Sequence, residues 1–233
     1  YSDREYTNDD GLADRETYTI PVDIFYELTP KVDLSVGYTY TTSDVGSTQN
    51  GDVYVGSYDR EGHFVNVGAR GNLLPKLSGF FKVGYRYNDS DDSDIRIGGV
   101  PAGSTNRDSS GTVGFDADLT HLTTPKVTTT LRLHRGFGIG GEGQSTENTS
   151  ADLSASYSIN TNYSASANLG YTFRDYVDGD REDDVYRTGV TFSYVPNQYW
   201  RFSTGYRYSE NDSSRRGQSY EAHTVSLSAS LRY

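Results

Sequence analysis

The chain has 233 residues, of which only 33% are hydrophobic, carries a formal charge of −11, and contains neither cysteine nor methionine. This excludes disulfides, thiolate metal sites and a cysteine nucleophile, and the acidic balance argues against nucleic-acid binding through the outer surface. A conventional soluble core of this length needs more Leu, Ile and Val, no apolar run approaches a membrane-spanning helix, and 21 Tyr with 9 Phe in regular alternation argue against disorder.

In chain order, residues 1–6 read as the outer end of a strand whose beginning is missing. With no Met and no charged-then-apolar leader, the chain reads as lacking the N-terminal part of a native protein. Residues 16–29 then alternate cleanly. Tyr18, Ile20, Val22, Ile24, Tyr26 and Leu28 share one face, and Thr19, Asp23 and Glu27 the other, with Pro21 and Phe25 as exceptions on the polar side. A strict period of two marks a half-buried strand. The same pattern predicts strands at 32–45, 61–73, 77–89, 110–123, 127–139, 149–160, 163–176, 185–195, 199–211 and 220–233. With the partial first strand this makes twelve as a minimum, and no window sustains a helical period.

Short turns recur as "LTPKV" (28–32), "LLPKL" (73–77), "TTPKV" (123–127), "NTNY" (160–163) and "VPNQY" (195–199). Between them lie longer polar connections at 46–60, 89–109, 140–148, 178–184 and 212–219. A repeated unit of tight turn and long loop is an up-and-down antiparallel meander. Paired aromatics close the strands at the long-loop end: Tyr38 and Tyr40, Tyr85 and Tyr87, Tyr171 and Phe173, Tyr206 and Tyr208. Tyr26, Tyr163, Tyr194, Trp200 and Tyr233 lie near the short turns. Amphipathic rings at two heights, with aliphatic residues between them, predict two interfacial girdles. The glycine before each upper pair faces inward, where a missing side chain is expected to ease curvature. A closed barrel satisfies its backbone polar groups in lipid, which an open sheet does not.

The terminal "SLSASLRY", with Leu227, Ala229, Leu231 and a final Tyr233, resembles the C-terminal assembly signal of bacterial outer-membrane β-barrels. The hairpins "LTPKVDLSVGYTY" and "LLPKLSGFFKVGYRY" resemble outer-membrane barrels of the porin type, including those found beside exopolysaccharide-export genes. The resemblance spans the chain. It implies one all-β, antiparallel transmembrane barrel domain over 1–233 in a Gram-negative outer membrane, with periplasmic short turns and long outer loops. Its implied partners are outer-membrane lipid, the barrel-assembly machinery and small polar solutes, with periplasmic export or electron-transfer proteins as alternatives.

The inward face carries Asp23, Glu27, Asp33, Asp116, Asp118 and Asp152 against Arg70, Lys82, Arg86, Arg132, Arg174, Arg187, Arg201, Arg207 and Arg232. Counted from the short turns, Asp23, Lys82, Asp116, Arg132 and Arg187 fall at similar height, where opposed charges create a transverse field favouring polar solutes. The same counting sets Asp116 nearly opposite Arg132, a favourable cross-strand pair. It also sets Arg187 opposite Arg207, which with Arg86 form an expected anion- or sugar-acid-attracting belt. Phe25, Phe64 and Phe80 are the inward aromatics, too few for a continuous sugar slide. Acidic runs "NDSDDSD" (88–94) and "DYVDGDREDD" (175–184) lack the positions of an EF-hand loop and read as solvated, without metal. No nucleophile with its base stands out, so neither enzymatic activity nor a cofactor is expected. The leading expectation is passage of small polar or anionic solutes, with loops 46–60 and 89–109 folding inward as a constriction. A conduit for exopolysaccharide or around an electron-transfer partner, and a scaffold or adhesin working through its loops, are the alternatives.

Overall fold

The computed structural model describes residues 1–6, 11–105, 107, 109–177 and 179–231, all in strands and connections. In chain order the strands are β1 Ser2–Arg4, β2 Arg15–Thr29, β3 Val32–Val45, β4 Thr48–Asn50, β5 Val53–Val55, β6 Tyr58–Leu74, β7 Leu77–Ser90, β8 Asp94–Ile97, β9 Val100–Ser104, β10 Ser110–Thr124, β11 Val127–Ile139, β12 Ser145–Ser158, β13 Tyr163–Tyr176, β14 Glu182–Tyr194, β15 Trp200–Ser213 and β16 Tyr220–Leu231. Twelve form one antiparallel meander ordered β1-β2-β3-β6-β7-β10-β11-β12-β13-β14-β15-β16. Each alternating segment is a strand of this sheet, several running two to four residues further toward the long loops than periodicity predicted.

The remaining four build a second sheet, β4-β5-β8-β9, out of connections 46–57 and 91–105. Its central strands pair Val53 with Ile97 and Val55 with Ile95. The Gly98-Gly99 pair, at φ +58° and +80°, turns β8 directly into β9, as a two-residue hairpin loop requires. Two of the long connections are therefore ordered into a sheet of their own.

The large sheet is inside-out relative to a soluble fold. Its apolar outward side chains are open, as at Ile24 (73% exposed), Val65 (58%) and Leu169 (59%), while the buried set is dominated by Ser, Thr and Asn with Arg60 and Asp183. Only a surrounding apolar solvent makes that arrangement favourable. The sheet also curls. At the long-loop end Ala13 donates to the Gly141 carbonyl (2.9 Å). Arg15 Nη1 on β2 reaches the Ile139 carbonyl on β11 (3.3 Å), with β3, β6, β7 and β10 between them in the sheet. Ala13, Val45 and Tyr58, with Ile139 packed on them, form a small buried apolar cluster there. The Tyr58 hydroxyl donates to the Gly143 carbonyl, and the Arg107 guanidinium lies 3.5 Å over the Tyr58 ring.

Above the outer aromatics on β14, Asp183 is 1% exposed. It accepts from Arg181 Nε (2.9 Å) and from the Ser213 hydroxyl. Burial opposes its ionisation, but the hydrogen bonds from Arg181 and Ser213 outweigh burial and hold the carboxyl below its usual 3.8. A depressed carboxylate pKa contributes stability that is present above the unfolded value and lost as pH falls through the folded one. Acidification below about pH 4 is therefore expected to loosen the β13–β14 and β14–β15 outer ends first. Hydrogen exchange at residues 181–183 follows this directly, and the Asp183→Asn protein should show no such acid step there.

Candidate lumen site

The concave face of β2 to β11 holds two chambers. The lower one, near the short turns, has a volume of about 740 Å³ and is walled by Asp23, Phe25, Arg70, Lys82, Asp118 and Arg132 among others. The upper one, near the long loops, measures about 300 Å³. It is bordered by Arg15, Thr39, Thr41, Arg60, Phe64 and Arg86. Between them lies a waist of paired charges.

The waist is built by register. Asp23 on β2 faces Gly37 on β3, Gly37 faces Asn66 on β6, Asn66 faces Gly84 on β7, and Gly84 faces Gly114 on β10. The glycines leave a trench across the strands, and long side chains from neighbouring rows lie in it. A Cβ at Gly37 would stand 2.2 Å from Asp23 Oδ1, and one at Gly114 would stand 2.5 Å from Arg86 Nε. Gly136 on β11 extends the trench, since a Cβ there would meet Arg86 Cδ at 2.9 Å. The expected role of inward glycines in easing curvature thus needs correcting for Gly37, where the missing side chain makes room for Asp23 and Asn66. Gly84 is different: its Cβ would lie 1.9 Å from the Val65 carbonyl oxygen, a close backbone approach.

Lys82 Nζ reaches both carboxylate oxygens of Asp23 at 2.8 Å, across two intervening strands. Arg86 Nη2 donates to Asp116 Oδ2, whose other oxygen lies 2.6 Å from His134 Nδ1. The Arg86 guanidinium stacks 3.7 Å over Phe64, as Arg70 does 3.4 Å over Phe25. Arginine on an aromatic face adds cation–π attraction to its ion pair. Asn66 is 2% exposed, and neither of its amide atoms has a hydrogen-bond partner; Arg86 Nε shares that condition.

Two predicted pairings are corrected. Asp116 is opposite His134, and Arg132 is opposite Asp118, with Arg132 Nε 2.8 Å from Asp118 Oδ2. The turn is centred on Pro125-Lys126, later than the middle of 123–126, and a register irregularity follows between Leu122 and Thr124. Arg187 does not face Arg207. It faces Gly170 and Ser209, and Arg207 faces Gly189, because Tyr194 pairs with Phe202 and so centres the turn one residue later than counted. The five charges predicted at one height fall in three rows. Lys82 and Asp116 share one, and Asp23 lies in the next row toward the long loops. Arg132 and Arg187 lie one row toward the short turns, joined through Asp152 and Gly170. That last row also contains Asp33, Arg70 and Asp118, with Arg70 Nε 2.9 Å from Asp33.

The paired aromatics stand on the outward face. Tyr38 and Tyr85 flank Val65, and Tyr40 and Tyr87 flank His63. The Tyr38 hydroxyl is 2.8 Å from His63 Nδ1. Tyr206, Tyr208 and His223 repeat this, with the Tyr206 hydroxyl 2.8 Å from His223 Nδ1. Tyr171 packs on Tyr186 at 5.2 Å, and Phe173 lies opposite Asp184. At the short-turn end Trp200 stacks on Phe202 (5.7 Å) and Tyr163 on Tyr194 (4.7 Å). Leu227, Ala229 and Leu231 share one face of β16, with Leu227 82% exposed; Arg232 and Tyr233 lie outside the described residues. Among the described residues no group of three or more His, Asp or Glu side chains converges on a metal-sized site.

No curated protein matches the chain in sequence. Among solved structures, the FrpB iron transporter from Neisseria meningitidis (F3-3 variant) matches at TM-score 0.60 and 9% identity over 95% of this chain. This chain spans 41% of that transporter, and the likeness concerns the fold alone. The CymD monoaromatic hydrocarbon channel (TM-score 0.44, 10% identity, 95% of this chain and 74% of its own) is more loosely similar. So is OmpT, an outer membrane protein of Vibrio cholerae (0.44, 9%, 95% and 87%). The family described as "Putative beta-barrel porin 2" matches residues 14–233. An inside-out meander with a polar concave face, matched over nearly its whole length, therefore belongs to this family of bacterial outer-membrane β-barrel porins.

Proposed function

We propose that the barrel passes small polar solutes and prefers anions. The observation that carries this reading is the pair Arg187 and Arg207 on β14 and β15. Each faces a glycine across its strand pair, and neither has an ion pair among the described residues, whereas Arg70, Lys82, Arg86 and Arg132 each have one. Unneutralised guanidiniums on a pore wall raise the local anion concentration. In this reading the two aromatic levels mark the membrane interfaces, the short turns are periplasmic and the second sheet lies outside.

Planar-bilayer conductance of the refolded protein under a salt gradient tests it. Stable ohmic steps with a reversal potential on the anion side are expected, and Arg187→Gln with Arg207→Gln should move that potential toward zero. Silence from a demonstrably folded barrel would sink the channel reading. It would favour instead a scaffold working through its outer surface, a reading supported by the ordering of two loops into a sheet.

A further inference from the structure

The lower chamber carries a balanced set of charges. Asp23, Asp116 and Asp118 line it with Arg70, Lys82 and Arg132, and each of the six has an ion-pair partner. Arg132 also has Asp152 opposite it on β12. A charged solute entering here meets no unpaired opposite charge, and it has to disrupt an existing pair to bind. Hydrogen-bonding capacity is nevertheless left over. Arg132 donates to Asp118 Oδ2 through Nε, while its Nη groups and Asp118 Oδ1 make no hydrogen bond among the described residues. Both side chains are open to the chamber.

Beside this pair stands an uncovered aromatic ring. Phe80 on β7 lies in one row with Arg70 on β6 and Asp118 on β10. Arg70 is turned away from it, onto Phe25 and Asp33, and Arg86 covers Phe64. Phe80 alone of the three inward phenylalanines has nothing stacked on it among the described residues, and it is 37% exposed where it lines the chamber. An apolar ring open to a wet lumen is stabilised by any solute that covers it. Gly68 gives the chamber its roof: a Cβ there would stand 2.9 Å from Lys82 Cγ, and its absence lets Lys82 lie across β6 to reach Asp23.

We propose that the lower chamber binds a neutral polyhydroxylated ring, a free sugar, on its way through the barrel. The C–H face of the sugar lies on Phe80. Hydroxyls along its edge accept from Arg132 Nη and donate to Asp118 Oδ1. A hydroxyl is donor and acceptor at once, so it meets both open groups without upsetting the charge balance, and hydrogen bonds to charged groups are the stronger kind. At about 740 Å³ the chamber falls within the range of small-molecule pockets, with room for a monosaccharide and its remaining water. The site deepens the channel reading by naming a solute class for one wall of the lumen, and it rests on that reading for its supply of solute. The anion preference belongs to Arg187 and Arg207 on the other wall.

Saturation-transfer NMR of the refolded full chain in detergent tests the site with three probes: glucose, its open-chain polyol sorbitol, and glucuronate. Glucose should bind, with transfer strongest to the protons of one ring face. Sorbitol, which has no rigid face, and glucuronate, which adds a charge, should both bind more weakly. Phe80→Leu should weaken glucose binding about ten-fold. Asp118→Asn removes the anion nearest Arg132, so it should weaken glucose and strengthen glucuronate. Heat-modifiable gel mobility and circular dichroism confirm that each variant is folded. If Phe80→Leu does not fold, Asp118→Asn decides alone. No glucose binding, sorbitol or glucuronate bound as tightly as glucose, or glucose binding unaffected by the folded variants overturns the proposal. Conductance is measured on the same preparations. Conduction without glucose binding refutes the site and leaves the channel; binding without conduction supports the site and refutes the channel.

Discussion

Gly79→Val is expected to destabilise the barrel more than any other single substitution of a glycine near the short turns. Gly79, the third residue of β7, has φ +142°, a region side chains rarely adopt, and a Cβ there would stand 1.9 Å from the Asp118 carbonyl oxygen on β10. Its cross-strand partner Gly71 has φ +119° and a Cβ contact of 2.2 Å with the Lys31 carbonyl oxygen. The two kink the sheet where β6 and β7 leave the Pro75-Lys76 turn. Backbone strain of about 1–3 kcal/mol adds to overpacking of about 1–3 kcal/mol, for a loss of roughly 2–6 kcal/mol. Urea unfolding in lipid vesicles measures it through the midpoint. Gly179→Ala, where nothing lies within 4 Å of the added carbon, should leave the midpoint unchanged. Equal midpoints for parent and Gly79→Val would show that the kink relaxes freely.

Arg86→Ala should open the waist. The side chain lies across the trench at Gly114 and Gly136 and on the Phe64 ring, so truncation removes the longest group between the two chambers. Single-channel conductance is expected to rise about two-fold or more, since a pore's narrowest segment dominates its resistance. Asp116 keeps its contact with His134 and is not stranded. Arg70→Ala, which removes a half-exposed side chain from the lower wall, should leave conductance near the parent value. An unchanged Arg86→Ala conductance would mean that the limiting segment lies elsewhere.

Strand positions were readable because an apolar solvent outside and a polar lumen inside force a period of two on every strand, β16 as much as β2. Pairing was less so. A one-residue irregularity beside each Pro-Lys turn, at Glu27/Thr29, Gly71/Leu74 and Leu122/Thr124, carries no residue signature, and together with a turn centred later than counted it leaves Arg132 opposite Asp118 and not Asp116. The second sheet did leave a mark, in Gly98-Gly99 between Ile97 and Val100, but its strands are three to five residues long and too short for alternation to register. Lys82, Arg86 and Asp116 were placed on the inner face by parity alone. Arg15 and Arg60 were missed because each stands one residue beyond a predicted strand start, where no face was assigned. Asn66 had no signal beyond its inward parity; only the burial of its unmet amide makes it conspicuous.

The contacts that tie β2 to β11 bear on how the molecule reaches its final shape. Every strand of the large sheet pairs only with sequence neighbours of that sheet, so hairpins can form and add one after another with little loop-closure cost. The bonds from Arg15 to Ile139 and from Tyr58 to Gly143 are of another kind, joining positions 124 and 85 residues apart. They have no partner until the intervening strands stand in place. The rolled outer end therefore forms last, and a late kinetic phase confined to Tyr58 and its surroundings would separate sealing of the mouth from insertion of the wall.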